Sequence, residues 1–426
     1  MFKGKKTYLI PIISFALVIL IGAVLLTIPS FNNINISFAD ALYTSVSGVT
    51  TTGLLKGNMI AQFNFGGQLV FAMLMEIGAL GFVIFVSYFW SIRNKKISMS
   101  DAMVINDSLS GDNTGSIKEH TLFIGKLVLI VQLAGTILLA IRFVPLLGFF
   151  EGLWYSIFHV ISAFSNTGVD LFGENGIRVF VNDFYVQIVL ILLMIAGSFG
   201  VFAIEDIKNT KKFSKFKLQT KIIIVGTIFM LVVPTILLKL IQPEISLTNG
   251  LFLTAARSTG FNILDISKFN SAAQVILMVI MFIGCSPASA GGGVKLVTMA
   301  VIISTLISTL KGKEETIIFW RKIPNYTVRM AFTIFTLFSV SIFIALILFM
   351  NYNNIGIEKI LFDCISAISN TGFSLISSNE LNSVGSLVLM ALMYIGRIGP
   401  LSLVLVFVHE DNKEKFIEYP EEKVIL

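Results

Sequence analysis

A Thr-Gly pair occurs four times along the chain, and each copy follows a short, half-apolar stretch. Glycine accepts a positive φ and lets main chains approach closely, so such loops can point several carbonyl oxygens at one spot. A ring of carbonyls can replace the hydration shell of a cation. The threonine hydroxyl can add an oxygen, and the lack of a carboxylate ring favours a monovalent ion over Ca²⁺. The four pairs are Thr52-Gly53, Thr167-Gly168, Thr259-Gly260 and Thr371-Gly372.

A second motif, Met-x-x-Gly, follows every Thr-Gly pair and indicates an internal repeat. The glycines of the two motifs are 24 to 29 residues apart, and each Met-x-x-Gly lies inside a long apolar segment. Two motifs recurring in the same order predict four parallel structural units. Ordinary glycine packing between membrane helices is the alternative explanation. The copies begin at Met75, Met194, Met281 and Met393, and the third residues after their glycines are Gly81, Gly200, Pro287 and Gly399.

The composition places these units in a membrane. Of the 426 residues, 55% are hydrophobic and 13% are charged, whereas a soluble domain is about 25% charged. A helix needs about 20 apolar residues to cross the hydrocarbon of a bilayer. About eight segments are long enough: 7–29, 66–92, 121–143, 186–204, 222–238, 273–310 with an interruption, 330–350 and 384–408.

The stretches before the Thr-Gly pairs are too short to cross a membrane, and we predict that they are re-entrant pore helices. Irregular backbone at membrane depth is stable only inside protein or along a water-filled path, which fits a loop that follows such a helix. A helix that ends at the loop also points the negative end of its dipole toward the pore. The four stretches are 38–49, 150–164, 246–256 and 356–368.

The predicted fold is therefore an all-α integral membrane protein of four parallel span, pore helix, span repeats. The repeats surround a central pore with pseudo-fourfold symmetry. Their predicted bounds are 1–100, 101–215, 216–325 and 326–426, the last including a C-terminal tail.

Lysine and arginine are concentrated in every second loop, which predicts the orientation of the chain. Three lysines precede the first span, five lie in the loop 206–220, and the loops 94–118 and 311–325 are also basic. Basic residues beside membrane spans stay on the cytosolic side, so both termini are predicted to be cytosolic. The net charge of +6 then reflects topology and requires no nucleic-acid partner.

The two motifs and their order resemble the Trk/Ktr/HKT superfamily of K⁺ transporters, and most closely the bacterial Ktr membrane subunit, over nearly the whole chain. The resemblance implies K⁺ uptake across a bacterial cytoplasmic membrane, with K⁺ held at Gly53, Gly168, Gly260 and Gly372 and no organic cofactor. It also implies K⁺ selectivity, because relatives that pass Na⁺ tend to carry serine at the position of Gly53. Coupling to Na⁺, or Na⁺ selectivity in the same fold, is the alternative.

The resemblance also implies partners beyond the lipid bilayer. These are a second copy of the chain, giving a homodimer with two pores, and a cytosolic ring of nucleotide-binding subunits of the RCK/KTN type. The basic loops are too short to fold as a nucleotide-binding domain themselves and would dock that ring, although basic loops are equally topology signals. The tail 419–426 resembles a family C-terminus that reaches the neighbouring subunit.

The sixth apolar segment is interrupted at 284–295 by small, polar and glycine residues. Pro287 removes a backbone donor, and the glycines at 291–293 disfavour helix. The segment resembles the intramembrane gating loop of the family; a simple kinked helix is the alternative. The residues assigned to this gate are Gly284, Ser286, Pro287, Ser289, Gly291, Gly292, Gly293 and Lys295, together with Arg397 from the last span.

Three charged residues lie at membrane depth, where charge is costly and is usually paired or functional. Arg397 resembles a family arginine beneath the filter, and we expect it to donate to loop carbonyls and place a positive barrier in the path. Pairing with a carboxylate is the alternative, with Glu76 as the candidate partner; Glu76 otherwise draws cations inward. Arg257 is interpreted as a brace for the third pore helix.

Other classes of function fit the sequence less well. No His-Glu-x-x-His, Cys-x-x-Cys or Gly-x-Ser-x-Gly motif occurs, so an enzyme is not expected. Coupled carriers often have inverted repeats with broken helices, whereas these repeats are parallel. A purely structural membrane protein would not explain four aligned Thr-Gly loops.

Overall fold

The computed structural model describes residues 5–81, 117–377, 380–400 and 402–403, and α-helices dominate it. Four long helices each open one of the predicted repeats, and we call them the first to fourth long helices. Their apolar composition and their length of 22 to 31 residues suit a bilayer. They are Lys5–Leu26, Ile117–Leu147, Leu218–Ile241 and Asn325–Tyr352.

A short helix follows each long helix and ends directly before a Thr-Gly loop. Serine side chains cap two of these helices, because Ser37 accepts a hydrogen bond from the Asp40 amide and Ser246 accepts one from the Asn249 amide. The short helices lie within one residue of the stretches predicted from the sequence. They are Phe38–Val49, Phe149–Phe164, Leu247–Ala255 and Ile357–Ile368, the third continuing as the 3₁₀ turn Ala256–Ser258.

A third helix, which we call the returning helix, carries the Met-x-x-Gly motif in each repeat. All four begin at an asparagine or aspartate whose side chain accepts hydrogen bonds from amides of the first turn, a common N-terminal cap. The returning helices are Phe65–Leu80, Phe184–Ser198, Ser271–Phe282 and Ser383–Ile398, and their caps are Asn64, Asp183, Asn270 and Asn382.

The returning helices are shorter than the predicted spans because glycines interrupt them. Gly81, Gly200 and Gly399 have φ values of 75°, 85° and 88°, a backbone conformation that ends an α-helix. The predicted span 186–204 was therefore wrong as one continuous helix, since the chain turns at Gly200 and resumes as Val201–Thr210. The ends of the predicted spans 66–92 and 384–408, the loop residues 94–116 and the tail lie outside the described residues.

The described residues contain three helices that are long and apolar enough to cross a membrane unaided: Leu122–Leu147, Leu218–Ile241 and Asn325–Tyr352. Only 22% to 33% of their most apolar windows is buried, so they present apolar side chains outward, as a lipid-facing surface requires. A bent pair, Gly173–Phe180 with Phe184–Ser198 at 100°, is a fourth candidate. The other apolar helices have 10 to 17 residues and are Pro11–Leu26, Phe65–Leu80, Ser271–Phe282, Leu296–Leu310 and Ser383–Ile398.

The remaining elements are short connections. Ile317–Ile318 pairs with Arg321–Lys322 as a small antiparallel hairpin before the fourth long helix. The others are the helical turns Pro29–Phe31, Met59–Gln62, Gly173–Phe180, Phe213–Lys215 and Ile266–Lys268.

One continuous core of buried apolar side chains extends through all four repeats. The methionines of the four Met-x-x-Gly motifs are all 0% exposed. In three repeats the glycine of the motif has no room for a side chain, because a Cβ atom there would overlap the carbonyl of the last residue of the short helix. The motif therefore packs each returning helix against the end of its short helix, and this contact positions the Thr-Gly loop.

Candidate cation site at the four Thr-Gly loops

The four Thr-Gly loops meet in a closed ring, which we call the Thr-Gly ring. Each glycine lies against the threonine carbonyl of the next loop, and the fourth loop contacts the first. All four glycines have positive φ, between 74° and 103°, a conformation that other residues rarely adopt. A Cβ atom would overlap an oxygen in every case: Gly53 with Thr167, Gly168 with Thr259, Gly260 with Thr371, and Gly372 with Thr52.

Burial around the ring follows the same pattern in each loop. The four threonines are 0% exposed, and the residue after each glycine is at most 4% exposed. The glycines are half-buried. Each loop therefore leaves its glycine backbone accessible while its neighbours on both sides are packed into the protein.

The threonine hydroxyls are engaged in hydrogen bonds within the protein. Thr259 donates to Asn166 at 2.8 Å, and Thr371 donates to the Arg257 carbonyl at 3.0 Å. The hydroxyl of Thr52 accepts from Asn370 at 2.9 Å, and that of Thr167 bonds to Ser165 at 2.8 Å. These contacts favour a bracing role for the hydroxyls over the expected role as extra ion ligands.

The main-chain oxygens of the same threonines are left without partners. Among the hydrogen bonds of the described residues, none ends on the carbonyl oxygen of Thr52, Thr167, Thr259 or Thr371. A buried polar group that lacks a hydrogen bond costs about 1–3 kcal/mol. Four such oxygens converging on one ring can be satisfied together by a cation that binds there.

The short helices add to the negative potential at the ring. The first, second and fourth end at Val49, Phe164 and Ile368, three residues before the threonine in each case. The C-terminal end of a helix carries a partial negative charge of about half an elementary charge. The Thr-Gly ring is therefore a favourable position for a positive ion and an unfavourable one for an anion.

The interrupted segment forms a closed loop beside the ring, which we call the 284–295 loop. The chain leaves helix at Phe282 and re-enters it at Leu296. Its two ends are joined, because the Gly284 amide donates to Val294 at 2.9 Å and the Cys285 amide donates to Gly292 at 3.2 Å. The alternative of a kinked helix is wrong, since a kink would not bring the two ends of the segment side by side.

Contacts with the Thr-Gly loops connect the 284–295 loop to the ring. The Thr51 hydroxyl, next to Thr52, donates to the Ala290 carbonyl at 3.2 Å. A Cβ atom at Gly292 would overlap the side chain of Asn370, and one at Gly291 would meet Cys285.

The loop also contacts the second repeat at the point where the returning helix ends and the chain turns at Gly200. The Ala290 amide donates to the Gly197 carbonyl at 3.0 Å, and the Ser286 amide donates to Ser198 at 3.1 Å. The Val201 amide donates to Ala288 at 3.1 Å. Within the loop, Ser289 donates to the Ser286 carbonyl at 2.6 Å, Pro287 lies beside Gly200, and Gly293 takes a φ of 78°.

Three cationic side chains donate to carbonyls of the loop or its flanks. Arg397 donates to the carbonyl of Ala290 and also reaches Gly78 and Ala79 in the first repeat. Lys295 donates to the Gly291 carbonyl at 2.7 Å. The predicted hydrogen bonds from Arg397 to loop carbonyls are therefore present.

Arg257 joins the end of the third short helix to the 284–295 loop. It donates to the carbonyls of Ile283 at 2.6 Å and Gly284 at 3.4 Å. Because Arg257 lies in the 3₁₀ turn that continues the third short helix, its guanidinium braces that turn against the entrance of the 284–295 loop. Its side chain turns toward the loop because the carbonyls at the end of the third returning helix lack helical partners.

Glu76 does not pair with Arg397. Its carboxylate accepts two hydrogen bonds from the Gln132 side chain, at 3.0 and 2.9 Å, across to the second long helix. Within the described ranges no carboxylate forms an ion pair with Arg397. The alternative in which Glu76 pairs with Arg397 was therefore wrong, because carbonyls of two separate segments take the guanidinium donors instead.

Sequence reasoning missed two asparagines whose side chains form hydrogen bonds with a neighbouring Thr-Gly loop. Asn166 accepts hydrogen bonds from Ser258 and Thr259 of the third loop. Asn370 donates to Thr52 of the first loop. The signal was available, since the second and fourth loops read Ser-Asn-Thr-Gly and the other two do not.

Outward-facing apolar helices around a buried ring of carbonyl oxygens are typical of membrane proteins that transport cations. This chain belongs to the family described as TrkH, cation transport protein, which matches residues 2–419. The match confirms the superfamily predicted from the Thr-Gly and Met-x-x-Gly motifs. The family is one of ion transporters rather than enzymes, and together with the apolar helices it makes the chain a multi-pass membrane protein.

Individual relatives match along almost the whole chain. The Ktr system potassium uptake protein B of Bacillus subtilis is 32% identical, over 97% of this chain and 95% of the relative. The potassium/sodium uptake protein NtpJ of Enterococcus hirae is 31% identical, with the same two coverages of 97% and 95%.

A solved structure has the same fold. The potassium transporter TrkH from Vibrio parahaemolyticus superposes with a TM-score of 0.74, at 17% identity, over 95% of this chain and 85% of the other.

Proposed function

We propose that this chain takes up K⁺ across the cytoplasmic membrane through a path that crosses the Thr-Gly ring. In this proposal four parallel repeats surround one pore with pseudo-fourfold symmetry, and each contributes one glycine to a selectivity filter. The closed order of the loops, in which each glycine contacts the next threonine carbonyl, carries the proposal. The four unpaired, buried threonine carbonyls support it, because a dehydrated cation would supply their missing partner.

Three observations favour K⁺ as the cargo. The ring consists of main-chain oxygens without a carboxylate, which suits a monovalent ion. A relative of 32% identity is named as a potassium uptake protein, and glycine stands at position 53. The relative named as a potassium/sodium uptake protein supports the second candidate, in which Na⁺ is coupled to transport or is itself transported in the same fold.

In the proposed mechanism the 284–295 loop is the gate. Its backbone is rich in glycine, it contacts the ring through Thr51, and Arg397, Lys295 and Arg257 hold it by hydrogen bonds to carbonyls. The three positive charges would also oppose a cation leaving the ring toward the loop. Opening then requires these bonds to break, which moves both the loop and the positive charge out of the path.

The proposal includes an orientation and partners. Both termini are cytosolic, two copies form a dimer, and a cytosolic nucleotide-binding ring regulates the gate. The lysines at 208, 211, 212 and 215 support the orientation, because they lie together at and after the helix Val201–Thr210, and basic residues next to membrane helices stay on the cytosolic side.

Uptake of ⁸⁶Rb⁺ into proteoliposomes that contain this chain alone would test the proposal. We expect uptake that K⁺ competes strongly and Na⁺ competes weakly. Repeating the measurement with and without Na⁺ at a fixed membrane potential separates the two candidates, because only coupling makes the rate depend on Na⁺. Uptake equal to that of protein-free liposomes would overturn the proposal.

Replacing Gly53 by serine should reduce the preference for K⁺ over Na⁺ by roughly tenfold or more. A side chain at its φ of 83° is strained and would overlap the Thr167 carbonyl, and strain of about 1–3 kcal/mol corresponds to that factor. Gly356→Ser is the matched control, because its Cβ position is open. An unchanged ion preference in Gly53→Ser would contradict the assignment of the filter.

A further inference from the structure

The four junctions of the Thr-Gly ring are braced unequally. Between the second and third loops, Asn166 accepts hydrogen bonds from Ser258 at 3.0 Å and Thr259 at 2.8 Å. Between the fourth and first loops, Asn370 donates to Thr52 at 2.9 Å. These two junctions lie on opposite sides of the ring, because the loops follow one another in chain order.

The other two junctions lack such an asparagine. Between the third and fourth loops, Thr371 donates to the main-chain oxygen of Arg257 at 3.0 Å. Between the first and second loops, no side-chain hydrogen bond of the described residues joins the two Thr-Gly segments. In the first loop the position of these asparagines is occupied by Thr51. Its hydroxyl donates instead to Ala290 of the 284–295 loop.

The backbone at these positions explains why asparagine occurs there. Asn166 and Asn370 have φ values of 57° and 51°, and asparagine tolerates this left-handed conformation better than most residues. Each side chain is 0% exposed and has a second, local contact that fixes its amide. Asn166 donates to the Phe164 carbonyl at 3.3 Å, and Asn370 donates to the Met393 carbonyl at 2.8 Å.

We propose that Asn166 and Asn370 are positioning residues for ion selection, which hold the threonine of the next loop and thereby set the width of the Thr-Gly ring. The proposal rests on the proposed function of the ring as a K⁺ filter. One way in which a ring of carbonyls discriminates between K⁺ and Na⁺ is that its oxygens cannot close around the smaller ion. Two buried braces on opposite sides resist that closure, whereas the junction between the first and second loops does not.

Glycine substitutions test the braces without straining the backbone, because glycine adopts these φ values freely. Asn166→Gly and Asn370→Gly should each reduce the preference for K⁺ over Na⁺ by about fivefold, the factor expected for one hydrogen bond. The measurement is ⁸⁶Rb⁺ and ²²Na⁺ uptake in the same proteoliposomes, at matched protein content. Asn175→Gly is the control, since it makes the same change at an exposed asparagine in the turn Gly173–Phe180, outside the Thr-Gly loops.

The two asparagines act with opposite polarity, which gives a second test. Aspartate in place of Asn166 keeps the acceptor oxygen for Ser258 and Thr259, whereas aspartate in place of Asn370 loses the donor to Thr52. We therefore expect Asn370→Asp to lower selectivity more than Asn166→Asp. Thr259→Val removes the hydroxyl that donates a hydrogen bond to Asn166. If the two residues act as one brace, combining Thr259→Val with Asn166→Gly should lower ion selectivity little further than either change alone.

The outcomes separate this proposal from the function on which it rests. Suppose that Gly53→Ser lowers selectivity while the glycine, aspartate and valine variants keep the wild-type ion ratio. The two asparagines are then not positioning residues, and the assignment of the filter is retained. If Gly53→Ser also keeps the ratio, the proposed function itself fails. Where a glycine variant does not fold, judged by size-exclusion profile in detergent, the Thr259→Val and Asn370→Asp ion ratios decide.

Discussion

The third repeat differs from the other three where its returning helix meets the rest of the protein. In the first, second and fourth repeats, the glycine of Met-x-x-Gly lies against the last carbonyl of the short helix. In the third repeat, Gly284 lies against the carbonyl of Gly292 in the 284–295 loop. The loop therefore occupies the place that a helix-to-helix contact has in the other repeats.

Under the proposed gating, this difference separates the part of the molecule that stays fixed from the part that moves. Three of the contacts join regular α-helices, whose interior backbone groups are held by helical hydrogen bonds. The fourth is made by a glycine-rich segment whose backbone is held by a few bonds to neighbouring repeats. A segment without helical hydrogen bonds opens at lower free energy than a helix in a core, so under the proposed gating the third repeat can open while the helix contacts of the other three persist.

Replacing the glycine of Met-x-x-Gly by alanine should produce the largest difference in stability between repeats. Gly197→Ala places a Cβ atom on the Phe164 carbonyl inside two packed helices, and overpacking of this kind costs about 1–3 kcal/mol or more. Gly284→Ala meets the loop instead, so we expect the fold to persist and uptake without a regulator to rise. Thermal unfolding in detergent and ⁸⁶Rb⁺ uptake measure the two effects.

Gly135→Ala is a suitable control for these two variants. Its nearest neighbours are the methyl groups of Leu193 and Val160, which can rotate away. If Gly284→Ala were as destabilising as Gly197→Ala, the 284–295 loop would be as rigid as a helix contact and unsuited to gating.

Removal of the Arg397 side chain should have the next largest effect. Arg397→Ala deletes hydrogen bonds from a cation to Ala290, Gly78 and Ala79, and hydrogen bonds to charged groups contribute about 1.5–3 kcal/mol each. We expect K⁺ uptake by the chain alone to increase roughly tenfold or more, with little change in the preference for K⁺ over Na⁺. A wild-type uptake rate would show that Arg397 does not hold a gate closed.

Loss of a helix cap should have the smallest effect, and it should be alike in all repeats. Replacing Asn64, Asn270 or Asn382 by alanine removes the acceptor for amides of the first turn, which costs about 0.5–2 kcal/mol. Thermal unfolding measures this cost, and ion preference should stay constant. A larger loss in the third repeat alone would mean that its returning helix depends more on local bonds than the others do.

Much of the fold follows from local rules that the sequence expresses directly. The short helices were predicted within one residue because apolar stretches of 11 to 15 residues end at Thr-Gly. The breaks at Gly81, Gly200 and Gly399 were not predicted, although these glycines had been noticed as part of the repeat. Hydropathy alone favours an unbroken span, and the positive φ of a glycine depends on what surrounds it.

The candidate site was predicted in part. The four loops and the hydrogen bonds from Arg397 to the 284–295 loop were expected, because glycine and buried arginine have few alternative roles at membrane depth. The contacts of Glu76 with Gln132 and of Arg257 with the 284–295 loop were not predicted, and the asparagine braces were missed. Each of these side chains can hydrogen-bond to many partners, and only proximity selects one.

The sequence by itself determined the elements of this protein: where helices begin, where apolar length suits a bilayer and where the backbone can turn with positive φ. These properties depend on residues within one or two helical turns of each other. The tertiary structure alone decided the order of the loops around the ring and the partners of the buried polar groups. Glu76 and Gln132 are 56 residues apart in the sequence, and Arg397 and Gly78 are 319 residues apart. Such contacts exist only after distant parts of the chain have packed together.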